Sequence, residues 1–399
     1  MGLTDRKILP WLNRYWGGSD NCLMRLAFCL FNYFPYGGLE RNFRLIAEEC
    51  TARGHEVDVY TMQWKGPRAG GLNIHFIPAE GWSNHRKIKV YTEYLQIMLK
   101  KKPVHLVIGF NKMPGLDLYY AGDTCYLARI RRDRGILSRL TPRYKSISNF
   151  EKAVFSPESR TEIIYISAKE KQIYQEYYET PESRFHYAPP GVNKDFIRSC
   201  LSKEKRDLIR SKLGLAENDN LLLMIGSNFF TKGVDRSIKA LASLPESLFN
   251  KTFLIIIGEG KKKKYRLMAD RLNIGDKVIF MGGRDDVPSF LASADLVMQP
   301  SLNENTGNPI VEAIVAGVPV LATENCGFSE HIRASGAGKV IPSNPFDQKI
   351  MNRFLQDVLL NSDKEKWRQR ALAYADQVDL YSRIPAIADI IEGIGRTGT

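Results

Sequence analysis

From Arg25 onward, short apolar runs alternate with stretches whose apolar residues recur every three or four positions. The runs Arg25 to Leu30, Val57 to Thr61, Ile74 to Ile77, His105 to Phe110 and Glu162 to Ser167 predict strands. Leu39, Phe43, Ile46 and Cys50 mark one face of a helix that stops at Arg53-Gly54. The pattern restarts after the turn-rich Ala188-Pro189-Pro190-Gly191-Val192, with strands predicted at Leu221 to Ile225, Phe253 to Ile257, Val278 to Met281, Leu296 to Gln299 and Val318 to Ala322. Helices intervene each time, and Val234, Ile238 and Leu241 share one face of the first. Such alternation builds parallel sheets covered by helices on both sides. The expected fold class is α/β, with two doubly wound Rossmann-like domains, 24–190 and 191–375, facing across a deep cleft where ligands of such folds bind. A helix over about 376–395 is expected to pack back on the first domain.

Residues 1–23 show neither helical nor strand periodicity and end just before Met24, so they are expected to be a non-native or disordered extension. A signal peptide is the rival reading, but Asp5, Asn13 and Asp20 interrupt any apolar core there. The longest apolar runs fall far short of the roughly 20 residues that cross a bilayer. Six cysteines without a Cys-x-x-Cys pair suggest neither a zinc site nor a disulfide framework, which points to reduced thiols and a cytoplasmic setting. The net charge of +13 favours an anionic partner without choosing among nucleic acid, phosphorylated small molecules and acidic lipid. No nucleic-acid motif or array of stacking aromatics is present, so nucleic acid is not expected as a partner. Oligomeric state is not legible.

Three loops carry candidate chemistry. Gly37-Gly38, between the first strand and first helix, would let backbone amides approach a phosphate, although such a pair is more often an ordinary turn. Gly226 to Gly233 repeats the arrangement in the second domain and places Lys232 beside a helix start, where a solvated lysine is the plain alternative. The most informative stretch runs from Glu304 through Asn305, Thr306, Gly307, Asn308 and Pro309 to Glu312. It sets one carboxylate in a glycine-containing loop and the other inside a helix opened by proline. Backbone amides of 305–308 would then face a hexose or phosphate. Ile257-Gly258-Glu259-Gly260 follows a strand as in nicotinamide oxidoreductases, but the third glycine position is Lys263, so that alternative fails its fingerprint.

The stretch from Glu304 to Glu312, followed by Gly317-Val318-Pro319-Val320, resembles the signature of family-4 retaining glycosyltransferases with the GT-B fold. Tyr33-Phe34-Pro35, Gly37-Gly38-Leu39, Gly109-Phe110-Asn111-Lys112-Met113-Pro114-Gly115-Leu116-Asp117, Lys232-Gly233-Val234-Asp235-Arg236-Ser237 and Leu241 to Ser247 narrow the resemblance to the lipopolysaccharide core glucosyltransferase I family. It runs from about Met24 to Ile391. The resemblance implies a hexosyltransferase that moves glucose from UDP-glucose onto an inner-core heptose with retention and without a metal or other cofactor. A related transferase using another UDP-hexose or another glycolipid acceptor is the alternative. It implies an acceptor-binding first domain and a nucleotide-sugar-binding second domain. Donor contacts would come from Gly37, Gly38, Lys232, Arg284, Glu304, Asn305, Thr306, Gly307, Asn308 and Glu312, with Asp123, Lys232 and Glu304 closest to the chemistry. Thr231 and Phe196 stand where a family relative carries basic residues. No Asp-x-Asp occurs in the chain, which fits a transferase that holds no metal on the diphosphate.

One more segment stands out. Between Tyr126 and Phe155, eight basic residues, Arg129, Arg131, Arg132, Arg134, Arg139, Arg143, Lys145 and Lys152, face only two acids, Asp133 and Glu151. Leu127, Ile130, Ile136, Leu137, Leu140, Ile147 and Phe150 are interleaved. A stretch of this composition suits an anionic membrane surface as well as it suits a solvated loop. The corresponding part of the family is its membrane-contacting region, which implies a peripheral enzyme on the cytoplasmic face of the inner membrane.

Overall fold

A computed structural model describes residues 23–35, 37–68, 70–78, 81–133, 136–198, 201–360 and 364–397. The expectation for residues 1–23 therefore falls, Leu23 apart, outside the described residues, as does that for Arg134. The chain forms two compact units. The first runs to Tyr165 and adds Tyr174–Tyr187 and the chain from Ile384; the second holds Ile166–Ile173 and Ala188–Arg383.

The strands, in chain order, are β1 Arg25–Cys29, β2 Asn32–Tyr33, β3 Glu56–Thr61, β4 Gln63–Trp64, β5 Leu72–Phe76, β6 Leu106–Gly109, β7 Leu118–Ala121, β8 Glu162–Tyr165 and β9 Phe185–Tyr187 in the first unit. The second has β10 Asn220–Ile225, β11 Thr252–Ile257, β12 Val278–Gly282, β13 Leu296–Gln299, β14 Val320–Thr323 and β15 Gly338–Ile341. The first sheet is ordered β5-β3-β1-β6-β7-β8-β9 and the second β12-β11-β10-β13-β14-β15, with every pairing parallel. β2 and β4 form a separate parallel pair. In each sheet the chain winds outward from a central strand, then returns and winds the other way. The order reverses between β1 and β6 in one unit and between β10 and β13 in the other, which is where ligands of such sheets bind.

β10 and β11 are continuous apolar runs because helices cover both their faces. Alternate side chains sort accordingly. Leu221, Leu223, Ile255, Ile257 and Val297 enter one core layer, and Leu222, Met224, Leu254, Ile256 and Met298 the other. In the first unit the helix Gly38–Ala52 buries Phe43, Ile46, Ala47 and Cys50. Phe43 meets Phe28 and Phe110 at ring distances of 5.9 and 4.9 Å. Each such ring stabilises the fold by about 1.5–3 kcal/mol through burial. That packing fixes the loop before the helix.

Besides the two-residue β2 and β4, three strands carry no long apolar run that would have announced them. β9 and β15 are edge strands with exposed or half-exposed positions, and β7 is a four-residue Leu-Tyr-Tyr-Ala segment. The helix expected over about 376–395 is two helices, Lys364–Gln377 and Arg383–Thr397. Asp379 separates them, because its carboxylate accepts hydrogen bonds from the amides of Tyr381 and Ser382, both at 3.0 Å. Past the break, Arg53 pairs with Asp389 at 2.6 Å and Glu392 at 3.2 Å within the first unit. Cys29, Cys50, Cys125 and Cys326 are free and buried. Among the described residues no helix is long and apolar enough to cross a membrane.

Candidate active site

In the second unit the loops that follow β10 and β13 flank the switch in strand order, and they are stitched together. The Leu302 amide donates to the Thr231 carbonyl at 2.8 Å, and Arg236 donates to the Pro300 carbonyl at 3.1 Å. Thr231 thus serves the loop through its backbone. Gly233 opens the helix Val234–Ala242 at φ +71°, and a Cβ there would run into the Pro300 carbonyl, so only glycine permits the approach. The β13 loop is tied in turn to the one after β14. Glu304 donates its amide to the Asn325 carbonyl at 3.2 Å, and Phe328 donates to the Thr306 carbonyl at 2.7 Å.

These stitches bring Lys232 and Glu304 together from 72 positions apart, and the ammonium donates directly to the carboxylate. Their side chains remain 17% and 18% exposed, which leaves the pair reachable. A side chain at Gly226, whose φ is +137°, would stand 2.6 Å from the Lys232 Cε, so glycine makes room for the lysine stem. Gly307, at φ +86°, starts the helix Asn308–Val315 with Pro309 in its first turn, and Glu312 lies half-buried one turn further on. Asn305 is buried, while Thr306 and Asn308 are half-buried. First-turn amides of such a helix have no partner within it and favour an anion. Cys326 sits beneath the Glu304 loop, where burial pushes its thiol up to about 11 and keeps it protonated at neutral pH. Arg284 is engaged within its own loop. Its guanidinium forks onto Asp286 at 2.6 and 2.7 Å. The Gly258-Glu259-Gly260 stretch is also structural: Glu259 accepts from the Gly283 amide at 2.7 Å and joins neighbouring loops.

The first unit gathers a different set at the ends of β1, β6 and β7. Gly37 caps the helix Gly38–Ala52, and a Cβ on Gly37 would collide with the Glu40 carboxylate. A Cβ on Gly38 would meet nothing within 4 Å, so packing inside the unit does not demand a glycine there. Burial lifts the Glu40 carboxyl above the usual range. Asp123, after β7, is exposed, and its Oδ1 accepts from the Tyr119 hydroxyl and lies 3.2 Å from the Lys112 ammonium. Lys112 is itself buried and donates to Glu151 at 2.7 Å and to the Thr124 carbonyl at 3.0 Å. Burial opposes both charges. Their contact prevails, holding Glu151 below the usual carboxyl range, while Asp123 and Glu151 hold the Lys112 ammonium above its usual value.

Glu151 corrects the sequence reading twice. It is fully buried, so it does not offset the basic surface, and its oxygens accept the first-turn amides of the helix Tyr126–Asp133 at 2.8 and 2.9 Å. The start of that helix is thus capped by a carboxylate 25 and 24 positions away from the two amides. Within the basic segment the apolar residues divide. Ile130 and Tyr126 turn inward, while Leu137 and Leu140 are 81% and 69% exposed. Arg129, Arg131, Arg143 and Lys145 are exposed and Arg139 is half-buried; the Arg132 side chain, like that of Phe196, lies outside the described residues. Among the described residues no group of three His, Cys, Asp or Glu side chains is placed to hold a metal ion. Lys112, Tyr119 and Glu151 were missed as participants. Lys112 stands in a quoted motif, but nothing local ties it to a glutamate 39 positions away.

Two family models match the chain, glycosyl transferases group 1 over residues 205–375 and Glycosyltransferase Family 4 over residues 36–196. Lipopolysaccharide glucosyltransferase WaaG of Escherichia coli (strain K12) is 42% identical over 371 residues, spanning 93% of this chain and 99% of the relative. The crystal structure of WaaG, a glycosyltransferase involved in lipopolysaccharide biosynthesis, matches at a TM-score of 0.87 over 92% of this chain and 100% of that one. Sucrose-phosphate synthase from Thermosynechococcus elongatus (TM-score 0.73, 94% of this chain and 98% of that one) is 17% identical and shares the fold alone. The same holds for Anabaena HepE in complex with UDP and glucose (TM-score 0.70, 93% and 100%, 17% identical). Two parallel doubly wound units, with the charged loops at their switch points, define a glycosyltransferase of the GT-B fold. Within that class the chain belongs to the family of lipopolysaccharide glucosyltransferases.

Proposed function

We propose that the chain moves glucose from UDP-glucose onto a heptose of the lipopolysaccharide inner core, with retention of configuration and without a metal. The observation that carries this is the Lys232–Glu304 pair, half-open at the switch point of the second unit beside a helix start. Charge building on a departing diphosphate is stabilised by a positioned cation and by helix amides, without reorganisation at the moment of reaction. In this reading Lys232 takes a diphosphate oxygen and Glu304 receives a sugar hydroxyl while keeping the ammonium aimed. Glu312 binds the ribose hydroxyls, and Gly37 and Gly38 let backbone approach the donor. Asp123 orients the acceptor hydroxyl or stabilises the positive carbon, and the departing phosphate oxygen takes the proton.

The acceptor would be lipid-anchored, and the exposed Arg129, Arg131, Arg143, Lys145, Leu137 and Leu140 suit an anionic bilayer on the cytoplasmic side. The deciding experiment incubates the full chain with UDP-glucose, UDP-galactose or UDP-N-acetylglucosamine and heptose-terminated lipopolysaccharide, in excess EDTA, and follows UDP release. UDP-glucose turnover that survives EDTA is expected. Activity abolished by EDTA and restored by a divalent ion would sink the metal-free reading, and preference for another sugar would reassign the donor.

A further inference from the structure

We propose that Lys112 is a positioning residue for the transfer reaction, holding one oxygen of Asp123 so that the other is presented to the reacting groups. The proposal rests on the role given to Asp123 above and extends it to a buried residue with no expected function.

The two Asp123 oxygens differ. Oδ1 takes the Tyr119 hydroxyl and faces Lys112 at 3.2 Å, whereas Oδ2 has no hydrogen-bond partner among the described residues, and the side chain as a whole is 55% exposed. The carboxylate is thus tethered at one oxygen and open at the other, which suits a group that must meet a hydroxyl or a positive carbon at fixed geometry. Lys112 is in turn fixed. Its side chain is 6% exposed, Glu151 and the Thr124 carbonyl hold the ammonium, and the Tyr174 ring lies 5.2 Å from it. Tyr174 also stacks on Phe155 at 3.7 Å, and its hydroxyl donates to the Asp123 carbonyl at 3.2 Å, so backbone and side chain of Asp123 share one scaffold.

Stability alone does not account for the arrangement. A buried lysine–glutamate pair can generally be replaced by apolar groups of similar volume without loss. A third contact, reaching from that pair to a half-exposed aspartate, adds little to folding and much to orientation.

The test uses the full chain, UDP-glucose and heptose-terminated lipopolysaccharide, with kcat and KM measured beside thermal melting. Lys112→Met alone would strand the buried Glu151 charge, so both are removed together in Lys112→Met/Glu151→Gln, where the glutamine oxygen still serves one of the two helix amides. This variant should melt near the parent, keep the donor KM within about twofold and lose about ten- to hundredfold in kcat. Added to Asp123→Asn, the same two changes should lower kcat by less than about twofold more, since Lys112 acts through Asp123. Should the Met/Gln variant not fold, Lys112→Gln/Glu151→Gln keeps a neutral donor, and a several-fold lower kcat is expected from it. Parental kcat in the folded double variant, with Asp123→Asn inactive, would overturn the role of Lys112 and leave that of Asp123 standing. Losses that multiply in the triple variant would overturn it too, because Lys112 would then act elsewhere. Full kcat in Asp123→Asn would instead remove the reading beneath.

Discussion

In the first unit Lys112 is enclosed by Glu151, Thr124 and two aromatic rings, and only its contact with Asp123 reaches the surface. In the second unit Lys232 meets a single carboxylate, Glu304, at the open end of two loops. Both are lysine–carboxylate pairs at the switch point of a parallel sheet, yet they are built for different work. The buried pair is over-determined and cannot exchange partners without leaving a bare charge in a poorly solvating interior. The loop pair is under-determined: Lys232 has donors to spare and Glu304 has lone pairs to spare, so a ligand can enter without first breaking a core. Burial thus separates a charge locked among partners from one left open to a ligand.

Breaking the buried side should give the largest effect. Glu151→Leu strips Lys112 of its main partner and removes acceptors from the Tyr126 and Leu127 amides and the Tyr178 hydroxyl. A loss of about 3–5 kcal/mol is expected in urea unfolding. A loss below about 1 kcal/mol would show that the network is not the rigid element described.

Lys232→Ala should do the reverse, lowering kcat about a hundredfold, or roughly 3 kcal/mol, with a melting temperature close to the parent. Near-parental turnover at saturating donor would remove Lys232 from the site.

A buried group without a carboxylate supplies the third contrast. His331, 7% exposed, has Nδ1 2.8 Å from the Tyr374 hydroxyl and Nε2 without a partner, and burial lowers its pKa from 6.5 to about 4. Because the folded value lies below the unfolded one, its contribution is complete above pH 6.5 and is lost as pH falls toward 4. Stability should drop by about 2 kcal/mol between pH 7 and pH 5 from this residue. His331→Gln should flatten that slope in denaturant titrations at the two pH values, and an unchanged slope would exclude it as the source.

Smallest is Arg284→Ala. The forked contact with Asp286 lies near the surface, so melting should shift by no more than about 1 °C. A rise of about threefold in donor KM at constant kcat would mean that the arginine leaves Asp286 for the donor and binds it uniformly. No kinetic change would assign the arginine to its loop.

Much of the second unit's site was readable because its signals are local. A glycine before a helix, a lysine beside it, and one glutamate before and one within a proline-started helix lie within single loop–helix segments, and the chemistry expected of them follows from backbone amides and helix ends. Lys112 and Glu151 were not readable in the same way. Glu151 sits among basic residues and counts as one more surface acid until the fold turns it inward, and its lysine lies 39 positions away.

By itself the sequence determined the alternation of strands and helices, since periods of two and of three to four residues are set by backbone geometry. It also determined the loops with glycines at φ +71° and +86°, where other side chains are strained, and the signature of the glycosyltransferase class. Tertiary structure alone decided the strand order, and with it which loops flank the switch points. It decided that Lys232 and Glu304 touch, and that Asp123 is held from beneath by a buried lysine. The reason is physical: a charge's role depends on its solvation and on partners brought from distant segments, and neither is encoded in the residue or its neighbours.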